Sequence, residues 1–167
     1  MSNRRPIIYI ADLTHVTITI SNDSFPLNAG LVGASVMARH PNADVRLFKY
    51  PETLRDAVCN QPPDILAVSN YPWNLDLGLS FCRYVKGLEK PVVTVMGGPN
   101  IGYTTPEHEA FMARTGGAVD FYAMFEGEAS FNSLLDVLLS VDMDVDKAKM
   151  AGVLGCIYVR KNGELNA

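Results

Sequence analysis

Short apolar runs recur along the chain, separated by segments with helical spacing. The runs are Ile7-Ile8-Tyr9-Ile10, Val45 to Phe48, Ile65 to Val68, Val92 to Val95 and Phe121 to Met124. Most are continuous rather than alternating, which is the pattern of strands covered on both faces. Between them, Leu27, Leu31, Ala34 and Ala38, following Pro26, predict one helical stripe. Leu75, Leu79, Cys82 and Val85 predict a second, with Asn74 as its cap, and Phe131, Leu134, Leu135 and Leu138 a third at the 3.6-residue period. Two weaker helices are predicted from Glu52 to Asn60, stopped by Gln61-Pro62-Pro63, and from Pro106 to Thr115, stopped by Gly116-Gly117. Strand and helix thus alternate along the chain. This predicts an α/β fold, an open parallel sheet of about five strands with helices on both faces.

The tail breaks the pattern. Gly152 to Val159 reads as a sixth strand, and Asn162-Gly163 after it is a strong hairpin signal because both residues accept positive φ. The return strand should start near Glu164 or Leu165, and the sequence ends at Ala167. The expectation is a binding domain over 1–140, then a linker and hairpin start over 141–167 that lead to a further domain.

Composition narrows the function. The 167 residues suit one domain, and 48% hydrophobic with 19% charged residues is a globular balance. A net charge of −4 offers no basic face for nucleic acid. No apolar run approaches the roughly 20 residues of a membrane span. Cys59, Cys82 and Cys156 lie far apart, and no signal-peptide pattern follows Met1, so the expected setting is reducing and cytoplasmic.

In a sheet of this kind ligands sit at the carboxyl ends of the strands, where strand order switches. The stretches there are Asp12-Leu13-Thr14-His15-Val16-Thr17 with Ser21-Asn22-Asp23-Ser24, then Ser69-Asn70-Tyr71-Pro72-Trp73-Asn74, then Gly97 to Thr105, then Glu126-Gly127-Glu128. None contains Lys or Arg, and Lys49 is the one cation at a strand end. A polyphosphate is usually met by such cations as well as by helix amides, so ATP and NADP fit poorly. A large, mostly neutral, amide-bearing ligand fits better.

Individual motifs leave alternatives open. No GxGxxG follows the first strand, which removes the main support for a dinucleotide site. Gly97-Gly98 reads either as a tight turn or as a close approach to a ligand. His15 is the histidine best placed for ligation, or else a loop histidine; His40 reads as structural and His108 as solvated. Glu128 suits a helix cap, and Glu126 a ligand contact. Asp142-Met143-Asp144-Val145-Asp146 imitates a calcium loop, but Lys147 and Val153 stand at its sixth and twelfth positions and exclude one.

Taken in order, Asp12-Leu13-Thr14-His15, Ser21-Asn22-Asp23-Ser24, Phe25-Pro26-Leu27, Ser69 to Asn74, Gly97-Gly98-Pro99 and Glu126-Gly127-Glu128 resemble the N-terminal cobalamin (B12)-binding domain of B12-dependent radical SAM enzymes. The resemblance covers about residues 6 to 140. It implies a Rossmann-like sheet with the corrin over its carboxyl edge and the nucleotide tail threaded beside the strands. In the branch that carries Asp-x-His-x-x-Gly, the histidine is the lower cobalt ligand. Here Thr14 stands in that place and Thr17 in the glycine's, with His15 one residue late, so the implied binding mode is base-off and His-off.

The same resemblance implies roles for single residues. Ser69, Gly97 and Gly98 would surround the tail, and Asp12, Thr14, His15 and Thr17 would lie near the lower face. Asn70, Tyr71, Trp73, Asn100 and Glu126 are second choices at the corrin rim. No catalytic residue and no direct metal ligand is expected in this chain. Radical SAM chemistry needs a [4Fe-4S] cluster and S-adenosylmethionine, normally on Cys-x3-Cys-x2-Cys, a spacing absent here. The implied partner is therefore a radical SAM domain in a longer chain, with methyltransferase activity. The rivals are a stand-alone B12 sensor or carrier and a flavodoxin-like FMN-binding protein.

Overall fold

Each of the five apolar runs forms a strand, because continuous β-branched and aromatic residues are stable only where both faces are covered. The structure, a computed structural model, describes residues 5–14 and 25–167. Strands β1 (Ile7–Ala11), β2 (Asp44–Phe48), β3 (Ile65–Ser69), β4 (Val93–Gly97) and β5 (Phe121–Ala123) are parallel. β6 (Cys156–Val159) joins β5 antiparallel and β7 (Leu165–Asn166) joins β6, giving the order β2-β1-β3-β4-β5-β6-β7. The order reverses between β1 and β3, so the crevice expected for a ligand opens at their carboxyl ends.

Helices α1 (Leu27–Arg39), α2 (Pro51–Asn60), α3 (Leu75–Lys86), α4 (Thr105–Thr115), α5 (Gly127–Ser140) and α6 (Val145–Ala151) fill the connections. Side chains alternate across the strands and build two cores. Tyr9, Leu66, Met96 and Tyr122 pack against α2, α3 and α4. Ile8, Ile10, Ile65, Val93 and Phe121 pack against α1, α5 and α6.

Two local expectations are corrected, for α1 and for His108. The stripe predicted for α1, Leu27, Leu31, Ala34 and Ala38, faces outward, and the buried positions are Ala29, Gly33 and Val36. Small residues win there because α1 lies close to the sheet: a β-carbon on Gly33 would stand 3.2 Å from the Leu47 side chain. The acidic run at 142–146 starts α6, with the Asp144 carboxylate accepting from the Lys147 amide at 3.0 Å. His108 is buried, its Nε2 3.0 Å from the Gly102 carbonyl oxygen, because α4 turns it under the loop that precedes it.

The tail packs with the rest of the sheet. Ala148, Val153, Cys156 and Tyr158 are buried in the α1–α5 core. The hairpin closes through the Arg160 amide donating to the Glu164 carbonyl at 2.9 Å, so the return strand forms, although it is two residues long.

Buried acids lock the amino ends of the strands. Asp64 accepts from the Ile7 amide at 2.8 Å and pairs with Lys90 at 3.1 Å. Asp120 accepts from the Thr94 amide and hydroxyl and from Lys86. Their lone pairs are committed to the scaffold, at the edge opposite the expected site.

Neutral buried acids set an alkaline limit on stability. Burial pushes the Cys82 and Cys156 thiols and the Tyr122 phenol each up to about 12. A raised folded-state pKa favours the folded form fully below the unfolded value, and that contribution disappears as pH climbs through the folded value. Urea unfolding is therefore expected to lose a few kcal/mol between about pH 9 and pH 12. A flat profile over that window would contradict the buried, neutral assignment.

Candidate functional site

Side chains on one face of the sheet shrink toward the carboxyl edge. In β3 the same-face positions run Ile65, Ala67, Ser69; in β4 Val93, Val95, Gly97; in β5 Phe121, Ala123. Helices α1 and α5 rest on the large end of this series. Above the small end they leave a cavity of about 610 Å³, inside the roughly 300–1,000 Å³ range usual for ligand sites. Ile10, Ala67, Val95 and Ala123 form its floor, α1 supplies Ala29 and Val32, and α5 supplies Gly127 and Phe131. Among the described residues its lining contains no Lys or Arg, while Glu126 and Glu128 contribute carboxylates.

The edge is built from two hydrogen-bond networks. The first crosses the switch point. The Ser69 hydroxyl donates to Asp12 Oδ1 at 2.5 Å, and Asn74 Nδ2 reaches Ser69 Oγ at 3.0 Å and Asp12 Oδ1 and the Leu13 carbonyl at 3.3 Å. Asn74 Oδ1 accepts from the Tyr71 amide at 2.8 Å. Asn74 stands at the N-cap of α3 as expected, but its side chain is spent on the loop and makes no capping bond. A buried amide has four bonding sites, and the loop offers partners for both its oxygen and its nitrogen.

The second network ties β3 to β4. Asn70 is fully buried, with Nδ2 donating to the Asn100 carbonyl at 2.9 Å and to the Tyr122 hydroxyl at 3.0 Å. Asn100 Nδ2 donates back to Asn70 Oδ1 at 3.1 Å, and the Tyr122 hydroxyl donates to the Gly98 carbonyl at 2.7 Å. Gly98 has φ +131°, and a β-carbon there would stand 2.7 Å from the Asn70 carbonyl oxygen. The requirement for glycine at 98 is therefore met inside the protein, by the backbone of Asn70.

The mouth is aromatic. Tyr71 stacks on Trp73 at 4.7 Å with 4° between planes, and its hydroxyl accepts from Asn28 Nδ2 of α1 at 2.6 Å. That bond bridges α1 to the loop after β3. Phe125, at the exit of β5, is 81% exposed and holds φ +53°, a conformation that a bulky residue keeps only where its surroundings impose it.

The expected residues divide as follows. Ser69, Tyr71, Gly97, Gly98 and Glu126 line the cavity. Asp12 lies beside it through Ser69, and the Thr14 amide is bonded to the Lys49 carbonyl at 3.1 Å. Trp73 backs Tyr71, and Asn70 and Asn100 hold the loops behind the edge. His15 and Thr17 lie outside the described residues. Asn28, Ala67, Ala123, Phe125 and Phe131 also line the cavity, and sequence reasoning did not select them. The fall in side-chain size along same-face strand positions is a signal for Ala67 and Ala123; Asn28, Phe125 and Phe131 reach the cavity from α1, the loop after β5 and α5, and carry no such signal.

Neither a protein-family model nor a curated protein matches the chain. Among solved structures it is similar to a cobalamin-binding protein from Desulfitobacterium hafniense DCB-2, with a TM-score of 0.51 and 18% identity. The likeness is one of fold. It covers 75% of this chain and 55% of that one, so this chain spans little more than half of that protein's length. The shared architecture is an α/β, Rossmann-like fold, with a mostly parallel sheet flanked by helices. Among the described residues no helix is long and apolar enough to cross a membrane, and no group of His, Cys, Asp and Glu is gathered as a metal site.

Proposed function

We propose that this chain binds cobalamin base-off and His-off, as the cofactor module of a B12-dependent radical SAM methyltransferase. The observation that carries the reading is the cavity between α1, α5 and the small-residue end of β3–β5. Cobalamin asks for a slot beside a neutral hydrogen-bonding edge, since it carries one phosphodiester, an aromatic tail base and many amides. The residues fit that demand: carbon-lined floor, hydroxyls and amides at the rim with the carboxylates of Glu126 and Glu128, and no cation in the described lining. The fold likeness to a cobalamin-binding protein supports the same reading.

In this reading Ser69, Gly97 and Gly98 would hold the tail, and Asp12 and Thr14, with His15 and Thr17 outside the described residues, would serve the lower face. Tyr71, Trp73, Asn100 and Glu126 serve the rim, with Asn70 fixing the loop geometry behind it. When bound, cobalamin supplies the methyl-transfer chemistry, and the protein supplies position and shielding. Asn74 keeps the Asp12–Ser69 pair in place across the switch point, and the Asn28–Tyr71 bond joins α1 to the loop after β3 at the mouth. Cleavage of S-adenosylmethionine falls to a [4Fe-4S] domain elsewhere in the same longer chain.

The test is direct. Protein incubated with hydroxocobalamin and desalted is expected to keep corrin absorbance with a base-off spectrum. Colourless protein would overturn the cofactor, and a base-on spectrum would overturn the binding mode. The coding sequence is expected to continue into Cys-x3-Cys-x2-Cys; a stop directly after Ala167 would leave a stand-alone cobalamin carrier instead.

A further inference from the structure

We infer that the cavity selects the base of the cofactor's tail, taking a benzimidazole in preference to a purine. This rests on the cobalamin reading above and extends it to the class of cofactor. The deep part of the cavity is carbon: Ile10, Ala67, Val95 and Ala123 below, Val32 and Phe131 at the sides. Five of these six side chains are buried, and Val32 is partly so.

The floor's main chain offers no substitute for polar side chains. β3, β4 and β5 are paired in register, Ala67 with Val95, Val95 with Phe121 and Gly97 with Ala123, so their amides and carbonyls are committed to the ladder. The polar side chains of the described lining, Asn28, Ser69, Tyr71, Tyr103, Glu126 and Glu128, gather at the rim. Ser69 donates to Asp12 and Asn28 to Tyr71. The floor itself, Ile10, Ala67, Val95 and Ala123, presents carbon to a base seated on it.

The two base classes differ in what they bring to such a floor. A dimethylbenzimidazole joined to its ribose has one free ring nitrogen, and its two methyl groups gain from apolar burial. An adenine brings an exocyclic amino group and additional ring nitrogens. Each polar group buried without a partner weakens binding by about tenfold or more. The carbon floor therefore discriminates by leaving a purine's polar atoms unpaired, a selection of about tenfold to a hundredfold in an apolar site.

Equilibrium dialysis of the unmodified chain against three corrinoids tests the inference: cobalamin, its adenine-tailed analogue and tail-less cobinamide. All are used in the dicyano form, so that no base is on cobalt. Cobalamin is expected to bind at least about tenfold more tightly than the adenine-tailed analogue, and more tightly than cobinamide. Equal affinity for the two tailed corrinoids would overturn the base selectivity and leave the cofactor assignment standing. Cobinamide binding as tightly as cobalamin would overturn it too, by removing the tail from the cavity. Retention of none of the three would overturn the cofactor reading, and the selectivity with it.

Discussion

Ala123→Leu is expected to weaken cobalamin binding by about tenfold to a hundredfold while the protein stays folded. Ala123 ends β5 and lies on the cavity floor, buried beside Gly97, its register partner on β4. A leucine there has room in the free protein, because the cavity of about 610 Å³ accepts its added carbons. With the tail in place the same carbons overfill the space, and overpacking of a filled site costs about 1–3 kcal/mol. Tail-less cobinamide serves as the internal control, since its affinity should change little. Visible absorbance titration reads both ligands, and circular dichroism checks the fold. Equal losses for both corrinoids, or none for either, would remove the floor from the site.

Gly98→Ala is expected to cost about 2–4 kcal/mol of stability by urea unfolding. The residue holds φ +131°, and its β-carbon would stand 2.7 Å from the Asn70 carbonyl oxygen and 3.1 Å from its amide nitrogen. Those atoms belong to backbone that Asn70 pins on both sides: its amide donates to the Gly97 carbonyl at 2.7 Å and its side chain reaches Asn100 and Tyr122. Neither partner can yield without breaking the second network. Gly97→Ala is the contrast, because its nearest atom is the Ala123 carbonyl oxygen at 3.2 Å and no positive φ is involved. It should cost clearly less. Equal costs at both positions would mean that the Asn70 contact does not dictate glycine at 98.

The Gly-Gly pair illustrates how far residue identity can be read. Two glycines after a strand were legible as a special turn, and the position of that turn at a carboxyl edge was legible as well. Which glycine serves the fold and which faces the cavity was not. That depends on Asn70, 28 positions earlier in the numbering, and on a hydrogen-bond network that closes only when β3 and β4 pair. Asn74 is similar. Its place before an apolar stripe marked it as a helix cap, whereas its side chain serves the loop because Ser69, Asp12 and Tyr71 converge there. Helix α1 gives the opposite lesson. Its predicted stripe, Leu27, Leu31, Ala34 and Ala38, faces outward, whereas Ala29, Gly33 and Val36 face inward, and at Gly33 the sheet is so close that a β-carbon would stand 3.2 Å from Leu47.

The order and type of the five strand–helix units, and the neutral character of their carboxyl edges, were determined by the sequence alone. Continuous apolar runs demand two covered faces, and the residue types in each strand-end stretch are local facts. The cavity and the Asp12–Ser69 contact across the switch point were decided only by the tertiary structure. Each arises from residues of different strands or helices brought to one place. The shrinking series from Ile65 to Ser69, Val93 to Gly97 and Phe121 to Ala123 lies between the two. It is written in the sequence strand by strand, but it becomes a cavity only when three strands align in register beneath α1 and α5.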